Sequence, residues 1–139
     1  MIPASHLDAL KALLEQETSL PVFLADATGG SFPRLVITPA YGVLGDRPLS
    51  DDVTEVEQDI RVTAAGASTE AALAAAERAR TCLSPGLGWR YIATPGWSTS
   101  AKFVRHEMTE VDRDVQLTGT DTHPVYTVET FHVSSERTS

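Results

Sequence analysis

The chain has 139 residues, of which 42% are hydrophobic and 22% charged, as in an ordinary folded domain. We expect one domain over residues 1–139 with an ordered core from about residue 5 to 134, because two cores within this length would each be marginal. Nineteen acidic against eleven basic residues give a net charge of -8, which disfavours tight binding to nucleic-acid phosphates.

The first elements predicted along the chain are a helix and a hairpin. Residues 5–16 are expected to be helical, because Ser5 can cap the first turn and four leucines form one stripe: Leu7, Leu10, Leu13 and Leu14. The apolar runs at residues 20–25 and 34–38 predict two strands, and the turn-forming residues between them, including two glycines, favour a hairpin.

The middle of the chain predicts a strand followed by a second helix. Over residues 55–64 apolar and polar side chains alternate, which predicts a strand with one dry face and with three acids on the other. Ser68 is placed to cap a helix that ends at Leu83, with Glu70 near its positive end. This helix is rich in alanine, so we expect it to lie flat against the sheet or against a neighbouring subunit.

The second half predicts further strands and completes the fold class. A short strand is expected around residues 89–92 and another over 101–108, whose far end also fits helical spacing. Residues 125–133 alternate as a last strand, and residues 135–139 are expected to be a frayed tail. This order predicts an α+β fold, with a mostly antiparallel sheet of four to six strands and two main helices packed on one face.

Metal-ligating patterns are weak. His106 and Glu110 stand four residues apart, as in a metalloprotease helix, but the second histidine is missing and the segment fits a strand equally well. The other histidines lack ligand spacing and are interpreted as surface or satisfied residues: His6, His123 and His132. We therefore predict no metal and no cofactor.

Patterns for nucleophilic or phosphate chemistry are weak as well. Residues 96–100, Gly-Trp-Ser-Thr-Ser, lack the final glycine of a nucleophile elbow. The Gly-Leu-Gly at 86–88 follows a helix and does not precede one, so it cannot place a phosphate at a helix N-terminus. Cys82 is the single cysteine, which excludes an intrachain disulfide, and it is interpreted as a small buried hydrophobe. These residues give no catalytic set, and we expect the protein not to be an enzyme.

The strongest local bias is acidic. Six carboxylates lie within fourteen residues: Asp46, Asp51, Asp52, Glu55, Glu57 and Asp59. Paired acids could perform general acid–base catalysis or bind a divalent cation. Such alternation is more often a solvated face, and a third possibility is a face that lines a water-filled passage and repels a negatively charged molecule.

Four strings, in this order, resemble the tail terminator proteins of long-tailed bacteriophages, in particular those of phages of high-GC actinobacteria. They are Pro-Leu-Ser-Asp at 48–51, the stretch 58–83 that runs from Gln-Asp-Ile-Arg-Val into the alanine-rich helix, Asp-Arg-Asp-Val at 112–115 and the final strand at 124–131. The resemblance extends from about residue 5 to 134.

The resemblance implies a structural protein of the virion, with an α+β fold and no active site. Such a protein assembles as a ring, expected to be a hexamer, on the finished tail tube and stops its polymerisation. Its partners would be the major tail tube protein and the head-tail connector or stopper protein, at the head-proximal end of the tail. DNA would pass through the lumen without specific binding, and no membrane is involved.

A closed ring requires two different surfaces of each subunit to meet. The sheet edges expected at residues 34–38 and 125–133 are candidates, because an unpaired edge is a template for pairing. The acidic strand residues Glu55, Glu57 and Asp59 are candidates for the lumen. Further candidates for a subunit or tube interface are Asp51, Asp52, Arg61, Asp112, Arg113 and Asp114.

Two alternatives remain open at the level of the sequence. Another neck or tail-completion protein would share the size and the order of elements. A small α+β metal-dependent enzyme or ligand-binding domain would use the acidic strand and His106.

Overall fold

Two helices and six strands make up the regular structure of a computed structural model that describes residues 4–24, 32–39, 55–113 and 123–138. In chain order they are α1 (Ala4–Thr18), β1 (Val22–Leu24), β2 (Arg34–Pro39), β3 (Glu55–Gly66), α2 (Thr69–Leu83), β4 (Arg90–Thr94), β5 (Trp97–Val111) and β6 (Val125–Arg137). The predicted α+β class is confirmed. No helix in these ranges is long and apolar enough to cross a membrane.

The six strands form one mixed sheet in the order β1-β2-β3-β6-β5-β4. Four neighbouring pairs are antiparallel, but β1 and β2 are parallel, with Val22 opposite Leu35 and Leu24 opposite Ile37. The predicted hairpin between these two strands is therefore wrong. Glycine-rich turn residues and apolar flanks do not specify strand direction, which depends on where the connection leads.

Both helices pack on one face of the sheet, as predicted. The apolar strand residues on this face are buried and join Leu10 and Leu14 of α1 in one core: Val56, Ile60, Val62, Phe131 and Val133. Ser5 lies inside α1, so the predicted cap is wrong, since the helix begins one residue earlier at Ala4.

The alanine-rich helix lies close to the sheet. Ser68 caps it as predicted, because its Oγ accepts a hydrogen bond of 3.1 Å from the backbone N–H of Ala71. A Cβ at Gly66, the last residue of β3, would lie only 2.5 Å from the backbone nitrogen of Ala72. Four alanines cover the contact side of the helix and are buried: Ala72, Ala75, Ala76 and Ala79. Small side chains and this glycine together permit the close approach.

The C-terminal strand is longer than predicted. β6 continues to Arg137, and the backbone N–H of Thr138 donates to the Gly96 carbonyl over 3.0 Å. The Ser135 hydroxyl is buried and lies 2.8 Å from both the Nε2 atom of His6 and the Thr99 hydroxyl. Residues 134–137 therefore belong to the sheet and not to a frayed tail. The sequence does not indicate this extension of β6, because residues 134–137 are polar and their hydrogen-bond partners lie on distant elements.

Candidate assembly surface

The sheet has a face that neither helix packs against, which we call the outer face. In the β3–β6 ladder Glu57 lies opposite Ser134, Asp59 opposite His132 and Arg61 opposite Thr130, all on this face. Of the intervening residues of β3, Val56, Ile60 and Val62 are buried against the helices, and Gln58 is half-buried. The alternation predicted for β3 is confirmed, and it places Glu55, Glu57 and Asp59 together on the outer face.

His132 bridges two of these acids. Its Nδ1 atom lies 2.7 Å from Asp59 Oδ1, and its Nε2 atom lies 2.6 Å from Glu57 Oε2. Carboxylates only accept hydrogen bonds, so both contacts require a doubly protonated imidazolium. Burial lowers the pKa of His132, but the hydrogen bonds and charges of Asp59 and Glu57 outweigh it, and the pKa lies above its ordinary 6.5. Protonated His132 thus offsets part of the charge of the acidic strand.

A second charged cluster lies beside the first one and surrounds Glu107. Arg61 Nε is 3.3 Å from Glu107 Oε2, and Arg105 is 3.2 Å from Oε1. The Thr130 hydroxyl donates to Oε1 over 2.7 Å, and this hydrogen bond, with the two arginines, holds the pKa of Glu107 below its usual value. Arg61, a predicted interface residue, is therefore paired within its own chain.

Trp89, which precedes β4, flanks the first cluster. The Trp89 ring is edge-on to His132 at 6.1 Å between centroids, and Lys102 Nζ lies 6.0 Å from the Trp89 centroid. Trp89 is 53% exposed and Tyr91 62% exposed. Exposed aromatic rings beside charged groups are typical of protein interfaces.

The predicted sheet edges are wrong. β2 lies between β1 and β3, and β6 lies between β3 and β5, so neither strand is at an edge. The reason is that β6 inserts into the middle of the sheet, which its alternating pattern alone does not reveal. Long-range pairing, and not local sequence, decides which strand becomes central.

Two stretches of the sheet have one described partner strand each. β2 pairs with β3 from Ile60 to Ala65, and the described partner strand of residues 55–59 is β6. β4 pairs with β5 only up to Ala101, so residues 102–111 also have β6 as their one described partner strand. These two stretches lie at diagonally opposite corners of the sheet. Val104 and Met108, on the second stretch, are 44% and 50% exposed.

Of the other predicted interface residues, the structure describes Asp112 and Arg113. Arg113 is exposed just after β5, and the backbone N–H of Asp112 donates to the Pro124 carbonyl over 2.9 Å. Both are remote from the acidic end of β3, because β3 begins opposite Glu136 whereas β5 ends opposite Val125. Asp51, Asp52 and Asp114 lie outside the described residues.

His106 belongs to the helix side of the sheet. Its Nδ1 atom is 3.2 Å from Glu129 Oε2, and Arg80 is 3.6 Å from Oε1 of this carboxylate, which is 2% exposed. Glu110 instead lies opposite Tyr126 on the outer face, because bulges in β5 shift the alternation. The spacing of His106 and Glu110 thus has no meaning for metal binding. Across the described ranges, no group of three or more His, Cys, Asp or Glu side chains could hold a metal ion.

Cys82 is buried beneath α1. Burial, reinforced by the charge of Glu17 and opposed by that of Arg90, raises the pKa of its thiol to about 11. Thiolate is therefore scarce near neutral pH, and the interpretation of Cys82 as a small buried hydrophobe is confirmed.

Sequence reasoning missed four residues of the outer face: Lys102, Arg105, Glu107 and His132. The alternation of β6 does place His132 on the same side as Thr130 and Ser134, which was a usable signal. No local signal pairs it with Asp59, 73 residues away.

Comparisons with known proteins are sparse. No protein-family model and no curated protein matches the sequence. A solved chain that bears only a sequence identifier as its name is 14% identical, with a TM-score of 0.45 over 94% of this chain and 91% of its own length. A chain of the virion of a native gene transfer agent particle is 16% identical, with a TM-score of 0.45 over 88% and 85%. Similarity at this level does not assign a function.

Proposed function

We propose that this protein is a structural, non-catalytic component of a bacteriophage virion, a tail terminator. It assembles as a ring, expected to be a hexamer, on the finished tail tube, ends tube polymerisation and forms the tail side of the head-tail joint. Its partners are the major tail tube protein and the head-tail connector or stopper protein. The role requires no cofactor.

One structural observation carries the proposal beyond the sequence resemblance. The sheet has an outer face that neither helix packs against, and this face holds the acidic residues of β3. One of the resembling strings, residues 58–83, forms most of this strand and α2, and the final string forms part of β6 beside it. The fold therefore places two of the four strings side by side in one sheet with an outward-facing charged surface.

The acidic strand fits a role in the lumen of such a ring. Glu55, Glu57 and Asp59 facing inward would repel the phosphates of passing DNA, consistent with a net charge of -8. His132 would moderate this field, since it lies between Glu57 and Asp59. DNA would then slide through without binding.

A tube-capping assay tests the terminator function. Purified protein is added to tubes assembled from the tail tube protein of the same phage, and tube length and tube ends are scored by negative-stain microscopy. We expect shorter tubes with a ring at one end. Binding to the connector but not to tubes would favour another neck or tail-completion protein. A monomer that binds a divalent cation tightly in calorimetry, and has no effect on tubes, would favour the enzyme alternative.

The lumen role has its own test. Charge reversal of Glu55, Glu57 and Asp59 is compared with reversal of three exposed acids on the helices, Asp8, Glu15 and Glu77. We expect normal particles from the helix variant, and loss of DNA delivery from the strand variant. If the strand variant assembles and delivers DNA normally, the acidic strand has no role in the lumen.

A further inference from the structure

We infer that two copies of this protein pair through β5: residues 102–110 of one copy lie antiparallel to the same residues of the other, around a twofold axis at His106. The contact extends the sheet across two chains. It goes beyond the proposed ring and is independent of it, because a twofold contact closes on itself, whereas a ring requires two different surfaces to meet.

The position of β5 in the sheet provides the first argument. β4 pairs with β5 up to Ala101, and the described partner strand of residues 102–111 is β6, on the other side. Such a stretch can accept a further strand through its outward N–H and C=O groups. Residues 102–110 span about 30 Å of extended chain, which is enough for a long ladder.

The charge pattern of this stretch is self-complementary. With His106 on the axis, Lys102 lies opposite Glu110 of the second copy, and Arg105 lies opposite Glu107 of the second copy. By symmetry each pair occurs twice. Side chains directly opposite each other in a sheet are about 5 Å apart, so four pairs of opposite charges would meet along one interface.

The four charged side chains share one face of the sheet. Glu107 is on the outer face, because its carboxylate accepts a hydrogen bond from the Thr130 hydroxyl. The other three lie opposite outer-face residues of β6, in the pairs Lys102–His132, Arg105–Thr130 and Glu110–Tyr126. A twofold axis perpendicular to the sheet keeps the outer face on the same side in both copies, so these charges can reach one another.

The same pattern fixes the register of the two strands. A shift of the second copy by two residues would place Arg105 opposite Arg105 in one direction, and Glu107 opposite Glu107 in the other. Like charges directly opposite each other destabilise a strand pair. A shift by one residue would turn the pairs to opposite faces. The register with His106 on the axis is therefore favoured over its neighbours.

Apolar side chains and bulges follow the same symmetry. Val104 and Met108 are 44% and 50% exposed, and in this register each lies opposite the other and is covered by it. The ladder with β6 is irregular between Phe103 and Arg105 and between His106 and Met108, and the axis sets one irregularity against the other. A bulge blunts an edge against ordinary strands, so the strand that fits is one with a matching irregularity, a second copy of β5.

Contacts within each chain leave these groups able to pair. Among the described residues, neither Lys102 nor Glu110 takes part in a salt bridge. The Arg105 side chain is 58% exposed and lies 3.2 Å from Glu107 of its own chain, so its guanidinium can contact the carboxylates of both copies. The dimer therefore adds charge pairs without breaking those of the single chain.

Charge exchange tests the pairing on the full chain, by analytical ultracentrifugation. Lys102→Glu and Glu110→Lys each put like charges opposite each other at both ends of the interface. We expect either variant to associate at least about tenfold more weakly than the wild type. The double variant Lys102→Glu/Glu110→Lys restores both opposite-charge pairs, and we expect it to form the same dimer as the wild-type chain of 14.9 kDa.

Controls and chemical cross-linking make the test specific. Lys11→Glu on α1 and Glu77→Lys on α2 make the same charge changes away from β5 and should leave association unchanged. The chain has two lysines, Lys11 and Lys102, so a zero-length carboxyl–amine cross-linker reports on few sites. In a mixture of isotope-labelled and unlabelled wild-type protein, we expect intermolecular peptides that join Lys102 to Glu110.

Three results would overturn the pairing: a wild-type chain that stays monomeric at millimolar concentration, reversal variants that associate as well as the wild type, or a folded double variant that does not regain association. Circular dichroism establishes whether each variant is folded. If one is not, the wild-type cross-link decides, and intermolecular links from Lys102 that omit Glu110 overturn the pairing.

Tube capping is scored separately from dimer formation. A monomeric chain that caps tubes would keep the terminator function and lose the dimer. A chain that pairs through β5 but does not cap tubes would lose the function and keep the dimer.

Discussion

His132 Nδ1 lies 2.7 Å from Asp59 Oδ1 across two neighbouring strands, and the same imidazole reaches Glu57 through its other nitrogen. The acidic strand is therefore not a uniform row of negative charge. It combines Glu55, for which the structure shows no such partner among the described residues, with two carboxylates that share one histidine. Charge on this face depends on whether that histidine is protonated.

The first prediction concerns the pH dependence of stability. The pKa of His132 is higher in the folded state than its unfolded-state value of 6.5, so the stabilisation from His132 is fully present below pH 6.5. This stabilisation is lost as pH rises through the pKa of His132 in the folded state. We expect the urea midpoint to fall as pH rises above 6.5, and His132→Gln to flatten this slope.

His6 makes a matched comparison, because burial lowers its pKa and its effect has the opposite sign. As pH falls below 6.5, the unfolded state takes up a proton at His6 more readily than the folded state does. The free energy of unfolding therefore decreases. His6→Gln should therefore alter the acid side of the profile and leave the alkaline side unchanged. An alkaline slope that persists in His132→Gln would contradict the role given to the Asp59–His132–Glu57 contacts.

The second prediction concerns the contact between α1 and the end of β6. His6 is fully buried, its Nε2 atom lies 2.8 Å from Ser135 Oγ, and its ring meets the Trp97 ring edge-on at 4.9 Å. We expect His6→Ala to lower the free energy of unfolding by about 2 kcal/mol, through a cavity and a lost hydrogen bond. A double-mutant cycle with Ser135→Ala, followed by urea denaturation, should show coupling. Additive effects would mean that the hydrogen bond contributes nothing.

The third prediction concerns the close approach of α2 to β3. Gly66→Ala puts a methyl group 2.5 Å from the backbone nitrogen of Ala72, which cannot move without shifting the helix. We expect a loss of about 2 kcal/mol or more in unfolding free energy, measured by urea denaturation. Gly88→Ala is the control, since its nearest neighbour would be an ordinary 3.7 Å away. Equal stability of the two variants would contradict a close contact between Gly66 and the backbone of α2.

The fourth prediction concerns the buried carboxylate of Glu129. Arg80→Met removes the guanidinium 3.6 Å from Glu129 Oε1 and leaves His106 as the remaining ion-pair partner. We expect a loss of about 2 kcal/mol in thermal or chemical unfolding, less than for a fully buried pair because Arg80 is partly exposed. Lys11→Met breaks the exposed pair with Glu15 and should cost less than about 0.5 kcal/mol. If both substitutions lower the unfolding free energy by less than about 0.5 kcal/mol, Arg80 does not stabilise the buried carboxylate of Glu129.

Several features could be predicted from the sequence because their causes are local. The alternation over β3 identifies both of its faces, and Ser68 followed by an alanine-rich stretch predicts α2 with its cap. These signals arise from the two-residue period of a strand and from capping by the preceding residue, neither of which needs distant partners.

Other features needed the whole fold. The parallel direction of β1, the central place of β6 and the order at residues 134–137 all depend on pairing between distant segments, such as Ser135 with His6 over 129 residues. The predicted sheet edges at residues 34–38 and 125–133 are wrong for the same reason, because whether a strand is central or at an edge depends on which strands lie beside it. The sequence by itself determined the helix and strand faces, their charges and the α+β class. Tertiary pairing decided which charges meet and which strands lie at the centre of the sheet, because a hydrogen-bonded ladder is a property of two strands and not of one.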